Sequence, residues 1–182
     1  MAKVLFMNAL PETCSMYDAV LLNLSDSAVS DAISFYGKTY TFERVFSLID
    51  RLADNLAAEF SIGKGDTVTL CMPNSPAALL AFYAANKLGA AVNLVHPYIP
   101  PEKLKESAAR TASKLVLVYD LYKCGHYNFG VPTLVSDSAR YMGAAGSLYY
   151  RLTQKRAAFG YPCFEKYLKD RKNPRMPAAS FG

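Results

Sequence analysis

Histidine is scarce in this chain, closely paired cysteines are missing, and no apolar run is long enough to span a bilayer. Only His96 and His126 offer side chains whose ordinary pKa suits proton transfer near neutral pH. Cys14, Cys71, Cys124 and Cys163 are widely spaced, and none forms a C-x-x-C pair, the spacing by which one local turn presents two ligands to a metal ion. Cys124-Gly125-His126 comes nearest and has no second pair to complete it, so reduced structural thiols are expected. The most apolar stretch, Ala77 to Ala85, stops at Asn86-Lys87, short of the ~20 residues a transmembrane helix needs. Met1 to Leu10 lack a charged leader followed by a long apolar block and a cleavage site, so a cytoplasmic protein is expected. No G-x-x-x-x-G-K-[ST] loop occurs, and Ser75 has no G-x-S-x-G elbow around it.

What remains is a globular composition. Of 182 residues, 52% are hydrophobic and 19% charged, too apolar for disorder and enough for a core. The net charge of +5 is uneven. Residues 1–91 hold 6 Lys/Arg against 9 Asp/Glu, residues 92–182 hold 14 against 6, and the stretch 151–182 alone carries 8 against 2. The basic tail reads as the solvated face of helices, with no nucleic-acid partner expected; contact with an anionic membrane surface is the second reading.

Residues 13–24 carry apolar positions near a 3.6 period and predict a short helix. Ala32–Tyr36 and Thr39–Thr41 flank Gly37-Lys38 and predict a β-hairpin. Thr41 can cap the next segment, in which Phe42, Val45, Phe46, Ile49, Leu52, Ala53, Leu56 and Phe60 recur every three or four residues, an amphipathic helix. Gly63-Lys64-Gly65-Asp66 turns the chain into a strand from Asp66 to Met72, with Val68 and Leu70 inward. Ser75 and Pro76 open a helix running to Leu88, apolar almost all round and so deeply packed, and Gly89 ends it. A strand from Ala91 to Val95, a helix from Lys103 to Thr111, a strand from Lys114 to Tyr119 and one more strand at Pro132 to Val135 follow. This alternation predicts an α/β fold, a largely parallel sheet with flanking helices plus a short β-hairpin. Beyond Asp137 the order weakens: Gly143–Gly146 reads as a small-residue linker, Ser147–Lys155 and Cys163–Lys169 as short basic helices, and Lys172–Gly182 as a disordered end. The division expected is an α/β unit over 1–140 and a basic, partly helical tail over 141–182.

Candidate chemistry is sparse. Gly63-Lys64-Gly65-Asp66 precedes a strand, and Gly143-Ala144-Ala145-Gly146 fails the dinucleotide pattern, so both are read as turns and not as phosphate loops. His96 falls at the carboxyl end of a predicted parallel strand, where α/β folds place ligand contacts, yet a loop histidine packed beside Pro97 is the simpler reading. His126 lies in a Gly- and Tyr-rich loop with no obvious partner.

Four pieces, in order, resemble the start of the AMP-forming acyl-CoA synthetase, luciferase and adenylation-domain superfamily. Ala32 to Phe42 looks like its opening hairpin and helix start, and Ile62-Gly63-Lys64-Gly65-Asp66-Thr67-Val68 is similar to its G-x-x-K-G-D-x-V turn. Met72-Pro73-Asn74-Ser75-Pro76 resembles its helix cap, and Lys87-Leu88-Gly89-Ala90-Ala91-Val92-Asn93 its helix exit. His96-Pro97 with Pro100 and Pro101 looks most like the fatty-acyl-CoA ligase branch. The resemblance implies the first part of a large N-terminal domain in an enzyme that joins a carboxylate to a thiol through acyl-AMP, using ATP, Mg and coenzyme A. The family's phosphate loop, acyl pocket, adenine contacts and catalytic lysine have no matching segment before Gly182, so no catalytic, cofactor-binding or metal residue carries over. The chain alone is therefore expected to be inactive, with Gly182 a boundary, the remainder of the enzyme its partner, and self-association through exposed apolar faces. A standalone interaction or membrane-surface module on the same scaffold, with its contact surface between Ser147 and Lys169, is the alternative.

Overall fold

The computed structural model describes residues 14–22 and 29–169. The end read as disordered, 172–182, lies outside them, as do residues 1–10. The elements are α1 (Met16–Leu22), β1 (Asp31–Phe35), β2 (Lys38–Thr41), α2 (Phe42–Phe60), β3 (Thr67–Cys71), α3 (Pro76–Lys87), β4 (Ala91–Leu94), α4 (Pro101–Arg110), β5 (Leu115–Tyr119), β6 (Thr133–Ser136) and α5 (Ala144–Thr153). Two 3-10 turns, Ser138–Tyr141 and Phe164–Leu168, flank α5. Strands β1 and β2 pair antiparallel, and the other four form a parallel sheet in the order β4-β3-β5-β6.

Local chemistry sets the element ends as expected. Thr41 stays extended and its hydroxyl accepts the Arg44 N–H at 3.3 Å, relieving one orphan donor of the first turn of α2. Ser75 does the same for α3 through the Ala78 N–H, with Pro76 at the first helical position. Gly89 follows α3 with φ +72°, a conformation that a side chain would strain. Lys64 backbone passes 3.3 Å from where its Cβ would stand. The turn before β3 is held by Asp66, which accepts from the Gly63 N–H at 2.8 Å and from Lys114.

Both faces of the sheet are covered, which explains one departure from expectation. Val68 and Leu70 do face the α2/α3 side, but Thr69 and Cys71 are equally buried on the α4 side. A parallel strand inside a two-faced sheet has no solvent side. On the α4 side Thr69 binds the Ser113 hydroxyl at 2.6 Å, and Asn93 donates to Thr69, Ser107 and Thr111, so the polar groups there are internally paired.

Helix α3 buries Ala77, Leu80, Ala81, Ala84 and Ala85, while Leu79, Phe82 and Tyr83 are half-buried. It is deeply packed on one face and not all round. The Tyr17 N–H of α1 donates to Asn86, and Tyr17 and Lys87 both reach Asp50 at 2.6 Å.

The stretch after Asp137 is better ordered than its composition suggests. Gly143 is no linker: its N–H donates to the Tyr36 carbonyl at 2.9 Å, and 144–146 form the first turn of α5. Phe164 is fully buried in the α2/α3 core, and Asn55, buried within α2, donates to the Tyr167 and Lys169 carbonyls.

Candidate functional site at the carboxyl ends of the parallel strands

From β3 the chain crosses to β4 on one side and then, after α4, to β5 on the other. The carboxyl ends of β3 and β5 therefore flank a topological switch point, where open parallel sheets usually receive ligands. The loop after β4 fills this position. Tyr119 donates to the Pro97 carbonyl at 3.3 Å, Tyr122 to the Ile99 carbonyl at 2.8 Å, and the Cys71 thiol to the His96 carbonyl at 3.6 Å. Burial pushes Cys71 and Tyr119 up to about 12 and Tyr122 up as well, so all three stay protonated as donors. The prolines and these donors fix the loop.

His96 stands at this edge, as its position predicts, with an exposed ring beside Tyr98 and its Nδ1 accepting the Tyr98 N–H at 3.3 Å. No carboxylate orients it among the contacts of its ring. His126 sits elsewhere, in the β5–β6 connection, edge-on to Phe159 at 4.5 Å and directly over Gly160. It borders a cavity of about 340 Å³ shared with Phe60, Tyr127, Phe129 and Tyr161. The fold does not join the two histidines into one constellation. The Gly63–Asp66 turn lies at the amino ends of the strands, opposite His96, which supports its reading as a turn.

A polar cluster that the sequence reading missed occupies the ends of β5 and β6. Asp120 is 1% exposed and accepts from the Ser138 hydroxyl at 2.7 Å and the Tyr150 hydroxyl at 3.0 Å. Its carbonyl receives the Ala157 and Ala158 N–H groups. Asp137, also buried, holds three guanidinium groups on Oδ2: Arg156 at 2.8 Å, Arg151 at 3.2 Å and Arg140 at 3.4 Å. Its Oδ1 caps the following turn at the Ala139 N–H. Glu165 accepts from Ser136, from the Asp137 N–H and from the Cys163 thiol. Tyr141 is buried beside it, its hydroxyl close to Glu165 and Ser136 but without a hydrogen bond of good geometry to either; burial and then the Glu165 charge push its pKa up. Chemically the cluster is a clamp: buried acceptors tie α5 and the following chain to the sheet. An Asp directly after each of two parallel strands, Tyr119-Asp120 and Ser136-Asp137, was the available signal.

The four cysteines are free thiols. Among the described residues no group of three or more His, Cys, Asp or Glu could hold a metal ion, and no helix is long and apolar enough to cross a membrane.

Comparison with known proteins gives a consistent family. The family described as "AMP-binding enzyme" matches residues 24–157. The chain is 26% identical over 115 residues to 4-coumarate–CoA ligase 1 of Arabidopsis thaliana, covering 62% of this chain and 20% of that protein. It is 27% identical over 127 residues to acetyl-coenzyme A synthetase of Helicobacter acinonychis (strain Sheeba), covering 67% and 19%. Among solved structures, a benzoate CoA ligase from Burkholderia xenovorans LB400 superposes with a TM-score of 0.68 at 13% identity, covering 85% of this chain and 28% of that one, a likeness of fold. The chain spans about a fifth of the length of the curated relatives it matches.

Proposed function

This chain belongs to the AMP-binding enzyme family, and we propose that it is the N-terminal scaffold portion of an AMP-forming acid–thiol ligase and is inactive by itself. The parent reaction is the condensation of a carboxylate with ATP to acyl-AMP and pyrophosphate, followed by transfer of the acyl group to coenzyme A. The observation that carries the scaffold role is the occupation of the strand ends: Tyr119, Tyr122, Asp120 and Asp137 spend their polar groups on the chain's own backbone and side chains.

ATP, magnesium and coenzyme A, which the family implies, do not fit the described residues. Stabilising a pentacovalent phosphorus needs prearranged donors and cations aimed at the phosphates. At the strand ends the acceptors Asp120 and Asp137 are buried, and the nearest cations, Arg140, Arg151 and Arg156, face Asp137. No step of adenylation is therefore assigned to a residue of this chain. What its residues do is hold loop 96–101 and α5 at fixed positions on the sheet edge, where the rest of the parent would dock.

Within the carboxylates, the His96–Pro101 loop favours a fatty acid, whereas the relatives are named for 4-coumarate, acetyl and benzoate ligases. A cytoplasmic site of action fits the reading. ATP–pyrophosphate exchange measured with acetate, benzoate, 4-coumarate and a long-chain fatty acid tests it. No exchange by the chain alone is expected, with exchange appearing when the parent's remaining sequence is supplied. Carboxylate-dependent exchange by the 182-residue chain alone would overturn the scaffold reading.

A further inference from the structure

Four strand edges face outward among the described residues, and three of them are closed or blunted. On β6 the Val135 N–H donates to the Pro162 carbonyl at 3.0 Å and Val135 bridges Cys163, so the chain after α5 lies along that edge. In the hairpin, β1 carries a bulge between Asp31 and Ile33, and β2 opens on Lys38; both features discourage further pairing. The fourth edge belongs to β4, which pairs with β3 and with no other strand among the described residues. Its sequence, Ala91-Val92-Asn93-Leu94, has no charge and no proline, and its four consecutive pairs with β3 contain no bulge. Sheet edges left to water are usually protected by one of these devices.

The ladder fixes which groups are open. Ala91 donates its N–H to the Asp66 carbonyl at 2.7 Å and Val95 donates to Leu70 at 2.9 Å; the alternation of a parallel ladder turns Asn93 the same way. The N–H and C=O groups of Val92 and Leu94 therefore point away from β3. The strand itself is held firmly. Val92 packs on the α2/α3 side, and Asn93 is bonded on the α4 side to Thr69, Ser107 and Thr111. Leu94, on the same face as Val92, is 68% exposed.

The shortness of this edge selects its occupant. Four residues give an edge about 14 Å long and about 10 Å deep, so two copies paired there cover about 300 Å² through their strands. A stable complex between separate chains buries about 1,200 Å² or more. A strand tethered within one polypeptide needs no such area, because its linker holds it at an effective concentration of about millimolar. The chain spans about a fifth of the curated relatives it matches, which leaves ample sequence to supply such a strand. We propose that in the parent ligase a β-strand from outside these 182 residues pairs with Val92 and Leu94, extends the sheet past β4 and lays an apolar side chain on Leu94. The inference rests on the scaffold reading above and adds to it the place where the sheet continues.

Residue-resolved hydrogen exchange, read by mass spectrometry on the 182-residue chain and on the parent ligase, is the test. In the chain, Val92 and Leu94 should exchange at close to free-peptide rates, while Asn93 and Val95 are slow. In the parent ligase Val92 and Leu94 should slow by about 100-fold or more. Leu94→Pro removes one outward donor and leaves the bonds to β3, so the chain should keep its melting point within about 2 °C. In the parent ligase the same substitution should speed Val92 exchange by about tenfold or more. Val92 and Leu94 as fast in the parent ligase as in the chain, or Val92 exchange there indifferent to Leu94→Pro, overturns the proposal and leaves the scaffold reading standing. A coding sequence that stops at Gly182 removes the parent ligase and overturns both. Slow exchange of Val92 and Leu94 in the chain alone also overturns it, assigning the edge to a second copy if the slowing grows with concentration and to another part of this chain if it does not.

Discussion

Replacing Asp137 with Asn removes one charge and almost no volume, and so isolates the electrostatic part of the clamp. The substitution keeps Oδ1, so the cap on the Ala139 N–H survives. It turns Oδ2 into an amide that presents hydrogens to Arg140, Arg151 and Arg156. Breaking one side of a fully buried pair typically costs about 3–5 kcal/mol. Here the carboxylate is 6% exposed but the arginines are 52–54% exposed, so they regain much of their hydration. Discounting for that leaves an expected loss of about 2 kcal/mol. For a chain of this length that corresponds to a melting point lower by roughly 4–8 °C. Urea or thermal unfolding of the 182-residue chain measures the loss. Limited trypsin digestion gives a second readout, because Arg151 and Arg156, no longer held, should be cut faster than in the parent chain. A change below about 0.5 kcal/mol with unaltered cleavage would refute the clamp.

Three further outcomes are expected. Tyr141→Phe deletes a buried hydroxyl that lies near Glu165 and Ser136 without a well-formed hydrogen bond, and should raise stability by about 1 kcal/mol in urea unfolding; a clear loss would mean that the hydroxyl is bonded to one of them. Gly143→Ala places a Cβ 2.9 Å from the Gly37 carbonyl oxygen, and should cost about 1–3 kcal/mol with faster amide exchange over α5; unchanged stability would contradict the tight hairpin contact. Asp66 is held below its ordinary 3.8 by its hydrogen bond from Lys114 and then by the Gly63 N–H. A depressed folded pKa means stability that is present above 3.8 and lost as pH falls through the lower folded value. Acid melts of the parent chain should therefore drop more steeply below that pH than those of Asp66→Asn, and parallel curves would contradict the assignment.

The parts of this fold that were legible in the sequence are those decided within a few residues. Thr41, Ser75 and Gly89 end or begin helices through contacts to their immediate neighbours, and the 3.6-residue stripe of α2 needs no knowledge of the sheet it covers. The clamp was illegible because its partners are far apart: Asp120 meets Tyr150 across 30 residues, and Asn55 meets Tyr167 across 112. Nothing local distinguishes an arginine that faces Asp137 from one that faces water, so the basic segment looked like a solvated surface. Arg140, Arg151 and Arg156 are in fact structural, although Lys155 is not. Burial of Thr69 and Cys71 was missed for a related reason, since alternation along β3 shows one covered face and cannot reveal that α4 covers the other.

His96 stands where the sequence placed it, and its surroundings are those of the loop histidine that is the simpler reading. Its location at the end of a parallel strand followed from the β-α-β rhythm, and ligand contacts are common there. Yet the groups around it are phenols and a thiol whose pKa values are pushed up, and all three donate to carbonyls of its own loop. A general base needs a neighbour that orients it and a reacting atom within reach; this edge supplies donors that hold the backbone instead. Holding the loop still costs no reactive group, and a loop fixed from three sides keeps its shape whatever later docks against it. The same logic applies at β5 and β6, where the carboxylates are used up in fixing α5. At this edge the buried polar groups are spent on the chain's own loop and helix. On the scaffold function proposed above, a reaction at this edge would draw its reactive groups from outside the described residues.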